Sequence, residues 1–141
     1  MCTLFCVFTD AKTPLIGFNA QSRVDQPNLN PPTHVKFNNV LYNAGQGYDS
    51  STGDFTAPLP GAYFLIFHTR SYDTGSAHSY MKVNGNEVCR AYIYNDLDHG
   101  SCHAVVHMAK GDKAWVEPFS ENEYYIDHTT SFAGFLFYAD P

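Results

Sequence analysis

Apolar residues recur in short alternating runs along this chain, and Gly, Pro and Asn interrupt the runs every few residues. Ile16–Arg23 (IGFNAQSR) is the first such run. Residues 25–33 (DQPNLNPPT) carry three prolines and read as a loop. Val35–Asn43 alternates and ends in the turn-rich stretch AGQGYDSSTG. Phe55–Leu59 is next, and Pro60-Gly61 turns the chain. Ala62–Arg70 (AYFLIFHTR) is apolar on both faces and suits a central strand. Tyr80–Val83 precedes Asn84-Gly85, the strongest short hairpin signal, and Val88–Tyr94 follows. Cys102–Ala109 leads to the turn Lys110-Gly111-Asp112. Ala114–Phe119 and Ser131–Tyr138 complete the series. There is no helical period of useful length, no repeat and no linker. Period-two alternation with this punctuation predicts an all-β chain of about eight to ten strands in a β-sandwich.

From residue 62 onward the strands are expected to run up and down, so their connections alternate between two ends. Pro60-Gly61, Asn84-Gly85 and Lys110-Gly111-Asp112 are tight and fall at one end. Residues 71–79, 95–101 and 120–130 are longer and fall at the other. This second end collects Asp73, Asp96, Asp98, Glu121, Glu123 and Asp127, with His78, His99, His128, Tyr72, Tyr124 and Tyr125. Loops held by a rigid scaffold are where binding residues concentrate; loops are also simply polar.

Composition narrows the function classes. At 141 residues the chain is one domain, long enough for a full core. Aromatic residues reach 16%, with eleven Phe and ten Tyr, and such rings fit the pleat of a sheet. The net charge is -6, and the eight Lys and Arg are scattered, which argues against nucleic acid and anionic membrane surfaces. No apolar run approaches the ~20 residues of a membrane-spanning helix. Met1–Phe8 (MCTLFCVF) lacks a basic start and a small-residue cleavage site, so it is a poor signal peptide. Either a leader was removed or replaced, or export is not by the standard route. No Asn-x-Ser/Thr acceptor occurs, and four cysteines do not decide the redox compartment.

The run from Val35 to Gly61, VKFNNVLYNAGQGYDSSTGDFTAPLPG, continues as AYFLIFH. It resembles the globular domain of complement C1q and its relatives, which carries F-x-x-V-L-x-N, Y-D-x-x-T-G-x-F and P-G-x-Y-x-F. Gly111-Asp112 with Trp115 is similar to that family's G-D-x-V-W element, with Ala114 in place of Val. Phe132–Phe137 (FAGFLF) is similar to its last strand. The resemblance covers residues 15–141, leaving 1–14 as an N-terminal segment. It implies a ten-stranded jelly-roll β-sandwich of the C1q/TNF type that assembles as a trimer. Phe37, Tyr63, Phe64, Phe132 and Phe135 would fill the core and the threefold contact, and Gly53 and Gly61 would serve turns. No Gly-X-Y collagen stalk is present, which puts complement activation of the mammalian kind in doubt.

Candidate chemistry is limited. His103 and His107 would share a face of a strand but lie ~13 Å apart, beyond one ion's reach. They read as surface or interface histidines. Asn95, Asp96 and Asp98 offer oxygen donors within four residues, which suits calcium; an ordinary polar hairpin tip has the same composition. Matching loops of calcium-binding relatives carry Asp. If Val88–Tyr94 and Cys102–Met108 form a hairpin, Cys89 and Cys102 face each other across strands. They are then a disulfide, implying an oxidising compartment, or two buried thiols. No catalytic motif is present, so an enzyme is not expected.

Two functions follow. The first is a secreted pattern-recognition protein of lectin type. It would bind carbohydrate or lipopolysaccharide on microbial surfaces, with avidity from the trimer. Its candidate contacts are Tyr72, Asp73, His78, Asp96, Asp98, His99, Glu123, Tyr124, Tyr125 and Asp127. The second is a structural or hormone-like trimer that binds a protein receptor or matrix. A receptor surface would expose a contiguous apolar patch, whereas a lectin site would present a polar pocket flanked by rings.

Overall fold

The computed structural model describes residues 14–71, 76–94, 98–125 and 130–141. The alternation becomes twelve strands: β1 Gly17–Gln21, β2 Gln26–Leu29, β3 Asn39–Ala44, β4 Tyr48–Asp49, β5 Asp54–Thr56 and β6 Gly61–Arg70, then β7 Ser79–Val83, β8 Asn86–Ala91, β9 His99–Met108, β10 Lys113–Pro118, β11 Glu123–Tyr125 and β12 Ser131–Ala139. Ten of them form two five-stranded antiparallel sheets, ordered β3-β1-β12-β6-β9 and β4-β5-β10-β7-β8; β11 and β2 pair in a small ribbon. The fold is the jelly-roll sandwich that the sequence led us to expect.

Burial follows the pleat. Along β6, Gly61, Tyr63, Leu65, Phe67 and Thr69 point inward, while Ala62, Phe64, Ile66, His68 and Arg70 point outward. Both sheets send rings to the middle. Phe18 of β1 stacks on Phe55 of β5 with centroids 4.6 Å apart, stacks on Tyr48 at 5.3 Å, and meets Phe132 of β12 edge-on at 4.9 Å. Such pairs add to the area they bury because the ring quadrupoles align favourably. Phe37, Tyr63 and Phe132 lie in this core as expected. Phe64 and Phe135 touch on the outer face of the first sheet, with Tyr42 and Val105 exposed beside them.

Several local expectations change. Residues 25–33 are not all loop, because β2 finds a partner in β11. Val35–Asn38 is outside the ladders: Val35 N–H bonds the Val116 carbonyl of the second sheet, whereas β3 pairs with β1 of the first. The segment is extended because it crosses from one sheet to the other. Gly53 does sit in a turn, at φ 83°. Gly61 does not; it opens β6, where a Cβ would come within 2.7 Å of the Leu136 side chain.

The cysteine pair forms, but by a different geometry. Cys89 and Cys102 are disulfide-bonded with Cα atoms 6.0 Å apart. Their strands are not one hairpin, since β8 edges the second sheet and β9 edges the first. The bridge therefore stitches the two sheets together along one open side of the sandwich.

Register also fixes the two ends. Arg70 lies opposite His99, Ser131 opposite His68, and Ser79 between Ala91 and Pro118. The described ends of 71–79, 95–101 and 120–130 thus lie at one end, as the strand directions implied.

Candidate functional site

The long-loop end rests on buried polar anchors. Glu123, 1% exposed, accepts the Ser76 hydroxyl at 2.7 Å and the His78 amide at 2.9 Å through one carboxylate oxygen. Tyr125 is fully buried, and its hydroxyl meets Ser79 Oγ at 2.8 Å and donates to the His78 carbonyl at 3.3 Å. Burial pushes the Tyr125 phenol well above its usual range. These two residues were expected to touch ligand. Their loop folds inward as β11, because pairing with β2 satisfies the backbone while the side chains pin residues 76–79. Both hold residues 76–79 in place from beneath.

The other expected contacts divide. Tyr124 is half-buried and donates to Asp25 at 3.0 Å. Asp98 is exposed; its carboxylate accepts the His99 amide at 3.0 Å, and its carbonyl accepts the Ser71 amide at 2.8 Å. His99 is not in a loop but begins β9, with its Nδ1 3.4 Å from Nε2 of His68. Tyr72, Asp73, Asn95, Asp96 and Asp127 lie outside the described residues. Among the described residues no three potential metal ligands are gathered.

His78 belongs to a ring cluster that the sequence reading missed. Its ring stacks on Phe119 with centroids 5.4 Å apart, and Tyr94 and Tyr92 meet it edge-on at 4.8 and 5.7 Å. The Ile93 amide donates to its Nδ1 at 3.0 Å, so the neutral ring carries its proton on Nε2. Tyr80 packs on Phe119 at 4.9 Å. Arg90 lies over Tyr80 and Phe119, 5.2 Å from each ring centre.

Glu87 neutralises that guanidinium in a two-pronged pair, and a third nitrogen donates to Tyr92 Oη at 2.9 Å. The Arg90 hydrogen bonds hold the Glu87 carboxyl below the usual carboxylate range. Tyr92 and Tyr94 remain 55% and 61% exposed. The signal was present in the sequence. In Arg90-Ala-Tyr-Ile-Tyr94 the buried Ala91 and Ile93 alternate with Arg90, Tyr92 and Tyr94, which strand geometry puts on one face.

The result is a cluster of rings with a hydrogen-bonded arginine, at the loop end of the second sheet's outer face. Exposed tyrosines offer apolar faces and polar tips together.

The two-sheet jelly roll is the fold shared by domains of the C1q/TNF class. Comparison with known proteins places the chain within that class: the C1q domain matches residues 17–137. The chain belongs to the C1q domain family. It is 35% identical over 115 residues to human complement C1q tumor necrosis factor-related protein 3, covering 77% of this chain and 46% of that protein. It is 30% identical over 111 residues to the mouse collagen alpha-1(X) chain, covering 72% of this chain and 16% of that one. The chain thus spans about half, or less, of the length of these curated relatives. Among solved structures, the globular domain of zebrafish complement 1qA superposes with a TM-score of 0.69 at 26% identity, covering 89% of this chain and 99% of that one. Eiger TNF from S. frugiperda gives 0.63 at 11% identity, covering 92% and 96%, which speaks to fold alone. Domains of this class typically form trimers and are generally non-enzymatic.

Proposed function

We propose that this chain is a secreted, trimeric recognition module of lectin type, which holds carbohydrate or lipopolysaccharide of microbial surfaces on the platform of Tyr92, Tyr94, His78 and Arg90. The observation that carries this reading is the pair of exposed tyrosines on a rigid, hydrogen-bonded floor. Their rings suit the apolar faces of pyranoses, and Arg90 and the tyrosine hydroxyls suit sugar hydroxyls. The disulfide favours an oxidising, extracellular setting. The exposed Tyr42, Val105 and Phe135 on the opposite sheet suit the contact between subunits. Three weak platforms on one trimer then gain by avidity on a repetitive surface. Calcium, held by Asn95, Asp96 and Asp98, is proposed as an aid at the same end, where oxygen donors are concentrated.

A second reading is a hormone-like trimer with a protein receptor. It is favoured by the composition of the platform, since Tyr and Arg packed together are typical of protein interface hot spots. It also accords with the similarity to C1q tumor necrosis factor-related protein 3.

The test is a glycan and lipopolysaccharide array probed with purified protein, with calcium and with chelator, alongside the Tyr92→Ala/Tyr94→Ala variant. Binding that the variant loses supports the platform. Loss with chelator supports the calcium role, and retention removes it. Silence of a trimeric wild-type protein in both arms sinks the lectin reading and favours the receptor.

A further inference from the structure

We propose that His68 and His99 form a binding site for zinc on the outer face of the first sheet. The proposal does not depend on the glycan reading. His68 is on β6 and His99 on β9, and ten consecutive register pairs join these strands, from Gly61↔Met108 to Arg70↔His99. His68 pairs with Ser101, so His99 is its diagonal neighbour on the same face. The ring centres lie 5.3 Å apart, tilted by 34°, and Nε2 of His68 faces Nδ1 of His99 at 3.4 Å. Zinc–nitrogen bonds of 2.0–2.1 Å at the tetrahedral angle put two ligating nitrogens about 3.3–3.4 Å apart. The pair therefore already stands at the edge length of a tetrahedral site.

In the metal-free pair one of the two facing nitrogens carries the shared proton. Zinc takes its place once both rings carry their proton on the far nitrogen, with no net charge change in the rings. In the single chain His99 is exposed and His68 half-buried. The exposed Asp98 carboxylate is hydrogen-bonded to the His99 amide and adds negative potential nearby. Arg70, opposite His99, opposes a cation and keeps the affinity modest. Among the described residues no third ligand is gathered, and the proposal assigns the two remaining corners to water. The other histidines of this face do not join: His103 lies against Phe64 at 6.0 Å, and His107 bonds Asp140 at 2.9 Å.

The experiment is a calorimetric titration of chelator-stripped protein with zinc, repeated with cobalt(II) for its tetrahedral absorption bands. Cys2 and Cys6 are replaced by serine throughout, because thiolates are themselves zinc ligands. One saturable ion per chain is expected, weakened at least ten-fold in His68→Ala and in His99→Ala. His103→Ala and His107→Ala serve as controls and are expected to bind as the parent does. All four positions are on the sheet surface, and circular dichroism checks that each variant folds. The absence of saturable zinc binding, or equal binding by the parent and His68→Ala, would overturn the site.

Discussion

Glu123 holds His78 by its backbone: the buried carboxylate accepts the His78 amide at 2.9 Å, and Ser76 is bonded to the same oxygen. The ring that stacks on Phe119 is thus positioned by a residue that ligand cannot reach. Replacing the carboxylate leaves two donors unpaired, and an unsatisfied buried polar group costs about 1–3 kcal/mol. Glu123→Ala is therefore expected to lower stability by about that amount in a urea titration, and to weaken ligand binding without removing any exposed ring. A variant as stable as the parent would remove Glu123 from this role.

The Cys89–Cys102 bridge spans a sequence separation of 13 and joins an edge strand of each sheet. Closing a loop of about this length is worth on the order of 3 kcal/mol in the chain-entropy view. The Cys89→Ser/Cys102→Ser protein is expected to unfold at lower denaturant by a comparable free energy. Adding reductant should then change the parent and leave the double variant unaltered.

Gly53 has φ 83°, and a Cβ there would run into the Val35 carbonyl. Both backbone preference and packing oppose a side chain, so Gly53→Ala is expected to cost roughly 1–3 kcal/mol. Differential scanning calorimetry reads the loss as a lower Tm. An unchanged Tm would show that the turn relaxes freely.

Asp112 gives a pH dependence with a definite sign. Hydrogen bonds from the Asn84 side chain and the Ala109 amide hold its carboxyl below the usual carboxylate range. Its contribution to stability is full above the unfolded value of about 4 and is lost as pH falls through the lowered folded value. The gap between the parent and Asp112→Asn should be widest near neutrality and close in acid, as measured by denaturant midpoints across that range. A gap that widens in acid would reverse the assignment.

The sequence by itself determined the architecture. The apolar run Ala62–Arg70 and the turns at Asn84-Gly85 and Gly111-Asp112 act within a few residues, so strand, turn and the two ends of the sandwich were readable. The family was readable too, because its motifs are local. Which residues meet was decided by tertiary structure. Cys89 and Cys102 were matched as a hairpin pair, yet they join different sheets, since nothing local says to which sheet an edge strand belongs. Glu123 and Tyr125 read as loop polars, but β11 found β2, nearly a hundred residues away in the chain, and turned them inward. His68 and His99 are 31 residues apart, and only the register of β6 on β9 brings their nitrogens together. Tyr80 on β7 and Phe119, just past the end of β10, reach Arg90 by the same rule. Local pattern records how a residue faces, but contact between distant segments depends on strand pairing, which local sequence does not encode.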